Sequence, residues 1–266
     1  MNDEIKRIRL EYTRRDATGA NKIYEYTNPS FVFHIQERER GTLRFLESAG
    51  IRLNASSVLE VGCGTGHILE RFREFGALKV AGIDLMESRI KNGKTRYPDL
   101  DLVSGNAGQL PYRDGSFDLV TQFMCLSSVL DPLLRKNIAE EMWRVLRDGG
   151  SILSYDLRPP SNIVRLLSIP YYALRRIARM IRLKPRQQQR QTPESAHITP
   201  IKPLSLAEVR SLYPEGEWKW STLSLRFDLC RVAEKCFLSA LILSYLPFLR
   251  SHYLVLIRKT GSKAVS

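Results

Sequence analysis

Val58-Leu59-Glu60-Val61-Gly62-Cys63-Gly64-Thr65-Gly66 runs from an apolar, strand-like segment into three glycines at alternate positions. Directly after it, Ile68, Leu69, Phe72 and Phe75 recur at helical spacing, so the unit reads strand, bare turn, helix. Glycine is needed where the backbone turns with positive φ or must approach a ligand with no Cβ between them. A nucleotide-like ligand suits such a turn. The dinucleotide fingerprint G-x-G-x-x-G would require glycine at position 67, where His67 stands; the spacing argues against a pyrophosphate site of the NAD type.

The same plan repeats outward. Residues 79–84 read as a strand and 87–97 as a helix stopped by Pro98, Leu102-Val103 as a short strand and 117–123 as another. Residues 136–147, with Ile138, Met142, Val145 and Leu146, form a helical period ended by Asp148-Gly149-Gly150, and 151–156 read as a fifth strand. This alternation predicts a parallel sheet covered on both faces. Upstream, 38–49 carry Leu43 and Leu46 at i,i+3 spacing before Gly50, and residues 1–35 read as an N-terminal cap of one or two helices. Downstream, residues 163–184 read as a basic amphipathic helix broken at Pro170, followed by a polar linker with Pro185, Pro193, Pro200 and Pro203. A helix at 204–213, a strand at 218–227, an apolar helix at 229–246 and a last strand at 252–259 complete the chain. The expected organisation is a helical cap (1–35) and one ligand-binding domain (36–266) with insertions at about 160–203 and 228–250.

Of 266 residues, 43% are hydrophobic and 26% charged, the composition of an ordinary globular protein. Cys63, Cys125, Cys230 and Cys236 form no C-x-x-C pattern; neither a disulfide framework nor a metal site is expected, and a reducing cytoplasm is. The first 30 residues are charged throughout, and the uncharged apolar stretch 236–249 is shorter than the roughly 20 residues that span a bilayer. Net charge is +13, concentrated in one block: between Asp156 and Glu194 there is no acid, whereas Arg158, Arg165, Arg175, Arg176, Arg179, Arg182, Lys184, Arg186 and Arg190 lie there. One basic block implies a local anionic contact rather than a nucleic-acid surface. Three readings stand for it: a solvated helix face, a membrane-surface contact through residues 160–190, and, ranked last, nucleic acid.

Residues 58–66 resemble the first motif of the class I S-adenosylmethionine-dependent methyltransferases, an acidic residue followed by G-x-G-x-G. Four further stretches agree in order. Asp84-Leu85 closes the second strand, 18 residues beyond Gly66, and Asn106-Ala107 follows the third. Leu110-Pro111-Tyr112-Arg113-Asp114-Gly115-Ser116-Phe117-Asp118-Leu119-Val120 is similar to the family's fourth-strand signature, and Arg144-Val145-Leu146-Arg147-Asp148-Gly149-Gly150 to the turn before its fifth strand. The likeness spans residues 36–157 and is greatest to the branch of the ubiquinone and menaquinone C-methyltransferases. Residues 122–131, 138–142 and 247–253 are similar, more narrowly, to small-molecule methyltransferases of bacterial biosynthetic gene clusters.

The resemblance implies a Rossmann-like, doubly wound α/β fold: a seven-stranded, mostly parallel sheet with an antiparallel last strand and helical lid insertions. It implies S-adenosylmethionine as cofactor, held by Glu60, Gly62, Cys63, Gly64, Gly66, Asp84, Leu85, Asn106, Ala107, Gln122 and Phe123, with Tyr24 and Arg38 as candidates for closing the pocket. In the family the residue at Asp84 accepts the ribose hydroxyls, and the pair at Asn106-Ala107 usually reads Asp-Ala. The expected activity is methyl transfer to a small molecule, with an oxygen of a sugar, glycolipid precursor or secondary metabolite as first choice, in the cytoplasm or peripherally at the inner membrane face. A membrane-associated enzyme acting on a lipid or quinone-like acceptor and a non-catalytic binding protein are the alternatives; Asn106 and the serines Ser127 and Ser128, where many relatives carry histidines, leave the last one open. His34, His67, His197 and His252 read as packing or surface residues, and no catalytic base is assigned.

Overall fold

The computed structural model describes residues 2–18, 26–164, 166 and 200–260. Its strands are β1 (Ser57–Val61), β2 (Lys79–Asp84), β3 (Asp101–Ser104), β4 (Phe117–Phe123), β5 (Leu146–Leu157), β6 (Gly216–Leu225) and β7 (Arg250–Lys259). They form one sheet of order β3-β2-β1-β4-β5-β7-β6. The first five pair in parallel, and β7 runs antiparallel to both β5 and β6. The chain winds outward from β1 to β3 and then crosses to β4, so a crevice opens at the carboxyl ends of β1 and β4, where open sheets receive ligands.

Alternation along β1 explains the two cores. Leu59 and Val61 join Ile83, Val120, Ile138 and Met142 on one face, while Val58 joins Leu69, Phe72, Leu119 and Leu153 on the other. The first face is covered by α5 (Pro132–Val145) and α6 (Leu206–Leu212), the second by α2 (Pro29–Ser48), α3 (His67–Glu74) and α4 (Glu87–Arg96). Two further helices, α1 (Asn2–Ala17) and α7 (Phe237–Ser244), lie at the carboxyl edge. None of the described helices is long and apolar enough to cross a membrane.

Several boundaries differ from the sequence reading for identifiable reasons. α2 starts at Pro29, well before the expected 38, because the Asn28 side chain accepts the Ser30 amide and Pro29 pre-sets the first turn. Residue 35, the expected end of the cap, therefore lies inside a helix, and Leu43, expected on its apolar face, is 36% exposed whereas Leu46 is buried. α5 likewise begins early, at Asp131-Pro132, with the Asp131 carboxylate accepting the Leu133 amide. β5 takes in Asp148-Gly149-Gly150: its pairing with β4 jumps from Phe117↔Leu146 to Leu119↔Ser151, and Gly149 at φ 74° absorbs the irregularity. The expected single helix at 229–246 is broken into a 3-10 turn (Cys230–Glu234), α7, and a second turn (Pro247–Leu249), with Cys236 fully extended between the first two. The basic helix expected at 163–184 and Tyr24 lie almost entirely or wholly outside the described residues.

Candidate functional site

The turn after β1 is built on left-handed backbone, with φ of 76° at Gly62, 56° at Gly64 and 80° at Gly66. A Cβ on Gly62 would stand 2.9 Å from the Cys125 sulfur, so the loop after β4 presses directly on this turn. At Gly64 nothing lies within 4 Å, and the backbone faces open space. The Gly62 and Cys63 amides both donate to the Ile83 carbonyl, tying the turn to the end of β2. There Asp84 accepts the Gly64 amide on Oδ2 and the Met86 amide on Oδ1, each at 2.8 Å. Burial raises the Asp84 carboxyl above its ordinary range, and those two amides oppose it.

A cavity of ≈ 240 Å³ opens beside these groups. Of the residues singled out in the sequence, Gly62, Asp84, Leu85, Asn106, Ala107 and Phe123 line it. Asn106 spends its side-chain oxygen on the Gly108 amide at 2.9 Å, which shapes the turn after β3. Glu60, Cys63, Gly64, Gly66 and Gln122 do not line this cavity. Cys63 packs its sulfur where a Cβ on Gly82 would come within 2.8 Å, and burial pushes its thiol up, away from reactivity. Gln122 is fully buried and organises the loop after β4: its amide nitrogen donates to Ser154 and Asp156, and its oxygen accepts the Cys125 and Leu126 amides. Met124, at φ 64°, is one of two described non-glycine residues in the left-handed region, a strained turn held at a ligand edge.

The opposite wall comes from the expected N-terminal cap, through residues that the sequence reading did not single out. Ile5, Ile8, Tyr12 and Arg15 of α1 close the cavity from above. The helix is anchored across it: Glu4 accepts the Leu130 amide at 2.6 Å, Arg7 donates to the Ser128 carbonyl at 2.8 Å, and the Tyr12 hydroxyl meets Ser128 Oγ at 3.1 Å. Arg7 holds the Glu4 carboxyl down to about 2. At the far end of α1, Arg89 of α4 pairs with Asp16 at 2.7 Å and lies over the Tyr12 ring, 4.5 Å from its centroid. The 5, 8, 12 spacing was the sequence signal for this lid.

Beneath the glycine turn, Glu60 is 1% exposed and its Oε2 has no hydrogen-bond partner. Burial pushes this carboxyl up to about 8, against the opposing charge of Arg38. Arg38 lies over the Phe123 ring, 5.7 Å from its centroid. His67 meets the Tyr26 hydroxyl at 2.8 Å, and burial with the nearby Arg38 charge lowers it to about 4. Farther along the carboxyl edge, Tyr155 stacks on His252 with centroids 4.4 Å apart and contacts His34 Nε2 and Ser224 Oγ at 3.3 and 2.7 Å. Burial keeps both of these histidines neutral: His34 falls to about 4 and His252 well below its ordinary value.

A family model described as "Methyltransferase domain" matches residues 59–154, the span from β1 to β5 that carries the glycine turn, Asp84 and Asn106. Over these residues the chain is similar to class I S-adenosylmethionine-dependent methyltransferases. It is similar to demethylmenaquinone methyltransferases, with 38% identity over 138 residues to that of Renibacterium salmoninarum (52% of this chain, 55% of the relative). Against the Listeria welshimeri protein of the same name, identity is 30% over 157 residues (53% of this chain, 63% of the relative). The chain spans 55% and 63% of the length of these two relatives. In fold it is similar to an S-adenosylmethionine-dependent methyltransferase of Methanosarcina mazei (TM-score 0.55, 19% identity, 80% of this chain and 97% of that one). It is also similar to geranyl diphosphate C-methyltransferase of Streptomyces coelicolor, solved with S-adenosyl-L-homocysteine (TM-score 0.53, 15% identity, 83% of this chain and 77% of that one).

The methyltransferase cofactor, S-adenosylmethionine, fits the residues present. An adenosine has an apolar slot between Leu134, Ile138 and Ile8, with Asp84 and Asn106 as its polar partners. An amino-acid tail has an orphaned, buried carboxylate oxygen on Glu60 and the cation of Arg38.

Proposed function

We propose that the protein transfers a methyl group from S-adenosylmethionine to a small-molecule acceptor bound over the carboxyl ends of β4 and β5. The observation that carries this reading is Asp84, whose two oxygens are fixed by the Gly64 and Met86 amides at the wall of a lidded cavity. Glu60, Gly62, Gly64, Asp84, Leu85, Asn106, Ala107 and Phe123 hold the donor, and Arg38 takes its carboxylate. Cys63, Gly66 and Gln122 shape the loops around it. The donor supplies an electrophilic methyl on a sulfonium, already bearing a good leaving group. This chain's own residues therefore need to align the two reactants and exclude water; α1 does the excluding, and Phe123 and Met124 form the floor toward the acceptor.

For the acceptor atom we infer an oxygen on a sugar, glycolipid precursor or secondary metabolite, on the strength of family likeness. A quinone-like, lipid-borne acceptor is the second reading, favoured by the relatives named demethylmenaquinone methyltransferase. Free thiols on all four cysteines support a reducing, cytoplasmic setting. Titration calorimetry with S-adenosylhomocysteine tests the donor site: binding is expected, with about a hundredfold loss or more in Asp84→Ala. Equal affinity in wild type and variant overturns it. Incubating cell extract with methyl-labelled donor then separates the acceptors by whether label enters the aqueous or the lipid phase.

A further inference from the structure

β6 is the last strand of the sheet, and among the described residues it pairs with β7 alone, so one edge of its backbone is open. The register fixes what that edge presents. The Arg158 amide donates to the Ser251 carbonyl, so odd-numbered residues of β7 direct their backbone groups to β5 and even-numbered ones to β6. Arg258 and Leu256 lie opposite Glu217 and Lys219. By antiparallel alternation these two residues spend their amides and carbonyls on β7, whereas Gly216, Trp218 and Trp220 turn theirs to the open edge. The Gly216 amide agrees, because it bonds back to the Tyr213 carbonyl and not to β7. The side chains are as open as the backbone. Trp220 is 53% exposed, and Glu217 and Lys219 are exposed too. Glu217 has no ion pair or side-chain hydrogen bond among the described residues. Lys219 Nζ donates to the Ser48 carbonyl and hydroxyl at 2.7 and 3.1 Å, which fixes the ammonium at the end of α2 and leaves it one donor to give.

We infer that the protein forms a two-fold dimer in which β6 pairs antiparallel with β6 of a second copy, centred on Trp218. A lone charge on an edge strand guards it, because like charges meet when the strand pairs with itself. Here Glu217 and Lys219 flank Trp218 with opposite signs, so the strand is complementary to its own reverse. In this register Trp218 lies opposite Trp218 and exchanges both main-chain bonds with it, and the Trp220 amide donates to the Gly216 carbonyl. Between them Glu217 faces Lys219 of the second copy at a non-hydrogen-bonded position, where side chains come closest, and symmetry makes this pair twice. The adjacent registers that keep the outward residues together are mismatched: centring on Glu217 or on Lys219 sets like charges directly opposite each other. The apolar face agrees with the charges. Ile257 and Trp143 stand 2.1 and 3.5 Å from where a Cβ on Gly216 would lie, so the exposed Trp220 of the second copy meets an apolar, aromatic surface there. β6 is at the opposite margin of the sheet from β1 and β2, so pairing leaves both donor cavities open. The inference does not depend on the methyl-transfer reading.

The test is the mass of the full chain by sedimentation equilibrium and native mass spectrometry at up to ~100 μM, for wild type, Glu217→Lys, Lys219→Glu and the double exchange Glu217→Lys/Lys219→Glu. Wild type is expected to be a dimer, each single reversal to dimerise about tenfold or more weakly, the double exchange to regain the dimer, and the two single variants to form a heterodimer when mixed. Hydrogen exchange across residues 216–222 reads the same contact: the Trp218 and Trp220 amides are expected to slow as wild-type concentration rises. Melting temperature is followed throughout. Glu217→Lys breaks no described side-chain contact, so it carries the test together with hydrogen exchange if a variant lacking the Lys219 bonds to Ser48 fails to fold. The inference is overturned by a wild-type monomer at the highest concentration, by a dimer that Glu217→Lys leaves intact, by a folded double exchange that stays monomeric, by folded single variants that do not pair with each other, or by exchange at 216–222 that ignores concentration.

Discussion

Replacing Glu60 with Gln separates what this carboxyl costs the free protein from what it gives the complex. Burial holds it at about 8 against an ordinary 4.5. Because the folded chain keeps a proton that the unfolded chain loses, the free protein loses stability as pH rises from about 4.5 to about 8. At about 1.4 kcal/mol for each pH unit, the upper limit of that loss is on the order of 5 kcal/mol, and Glu60→Gln removes it. In the complex the sign reverses. On the donor assignment proposed above, the ammonium requires the ionised carboxylate, so binding below pH 8 is expected to expel a proton and affinity to fall about tenfold for each pH unit between 8 and 6. Above pH 8 the charged hydrogen bond contributes about 1.5–3 kcal/mol, so the Gln variant binds roughly ten- to 150-fold more weakly there and nearly as well as wild type at pH 6. Calorimetry with S-adenosylhomocysteine, in buffers of different ionisation enthalpy, reads both the affinity slope and the proton release. A slope that persists in Glu60→Gln belongs to the ligand alone, and together with absent proton release in wild type it refutes the assignment.

Four other substitutions have outcomes that follow from the geometry. Gly62→Ala sets a Cβ 2.9 Å from the Cys125 sulfur at φ 76°; it should cost about 1–2 kcal/mol or more of stability by thermal melting. Gly64→Ala meets no neighbour within 4 Å, so its melting temperature should fall less and its product affinity, measured by calorimetry, more. Glu4 is held at about 2 by Arg7, so its contribution to α1 docking is present above about 4.5 and lost as pH falls toward 2; Glu4→Gln should speed hydrogen exchange at the Leu130 amide at neutral pH and weaken product binding several-fold. Arg135 is buried and donates to the Leu126 and Val129 carbonyls, so Arg135→Met leaves both unsatisfied and should lower stability by about 2–4 kcal/mol in a denaturant titration.

The central strands were legible because β1, β2 and β4 are buried on both faces and read as short apolar runs between glycine, proline and acidic punctuation. The glycine turn was legible because backbone geometry fixes what it must be, whereas Asp84 was singled out through the family resemblance. Helix starts at Asn28-Pro29 and Asp131-Pro132 carried readable caps, but the hydrophobic period begins later and drew the boundary inward. The breaks around Cys236 and Pro247 lie within an apolar run whose phase does not show which side faces the core. Gln122 shows what composition alone withholds. A polar residue ending β4 suggests a ligand contact, yet its side chain is consumed by Ser154, Asp156 and the Cys125 amide, a fact set by tertiary partners. An N-terminal cap was legible, but which of its residues face the cavity was not, because contacts such as Tyr12 with Ser128 join positions more than a hundred residues apart in the chain.

The strand order divides the molecule's labour by lineage of sequence as well as by space. The donor contacts proposed above in the sheet lie on β1, β2 and the segment after β3, on one side of the crevice, whereas the 226–249 connection belongs to the two antiparallel strands at the opposite margin. On the methyl-transfer reading proposed above, exchanging that connection for one from a related chain is expected to leave binding of the donor product unchanged, which makes it the natural cassette for engineering.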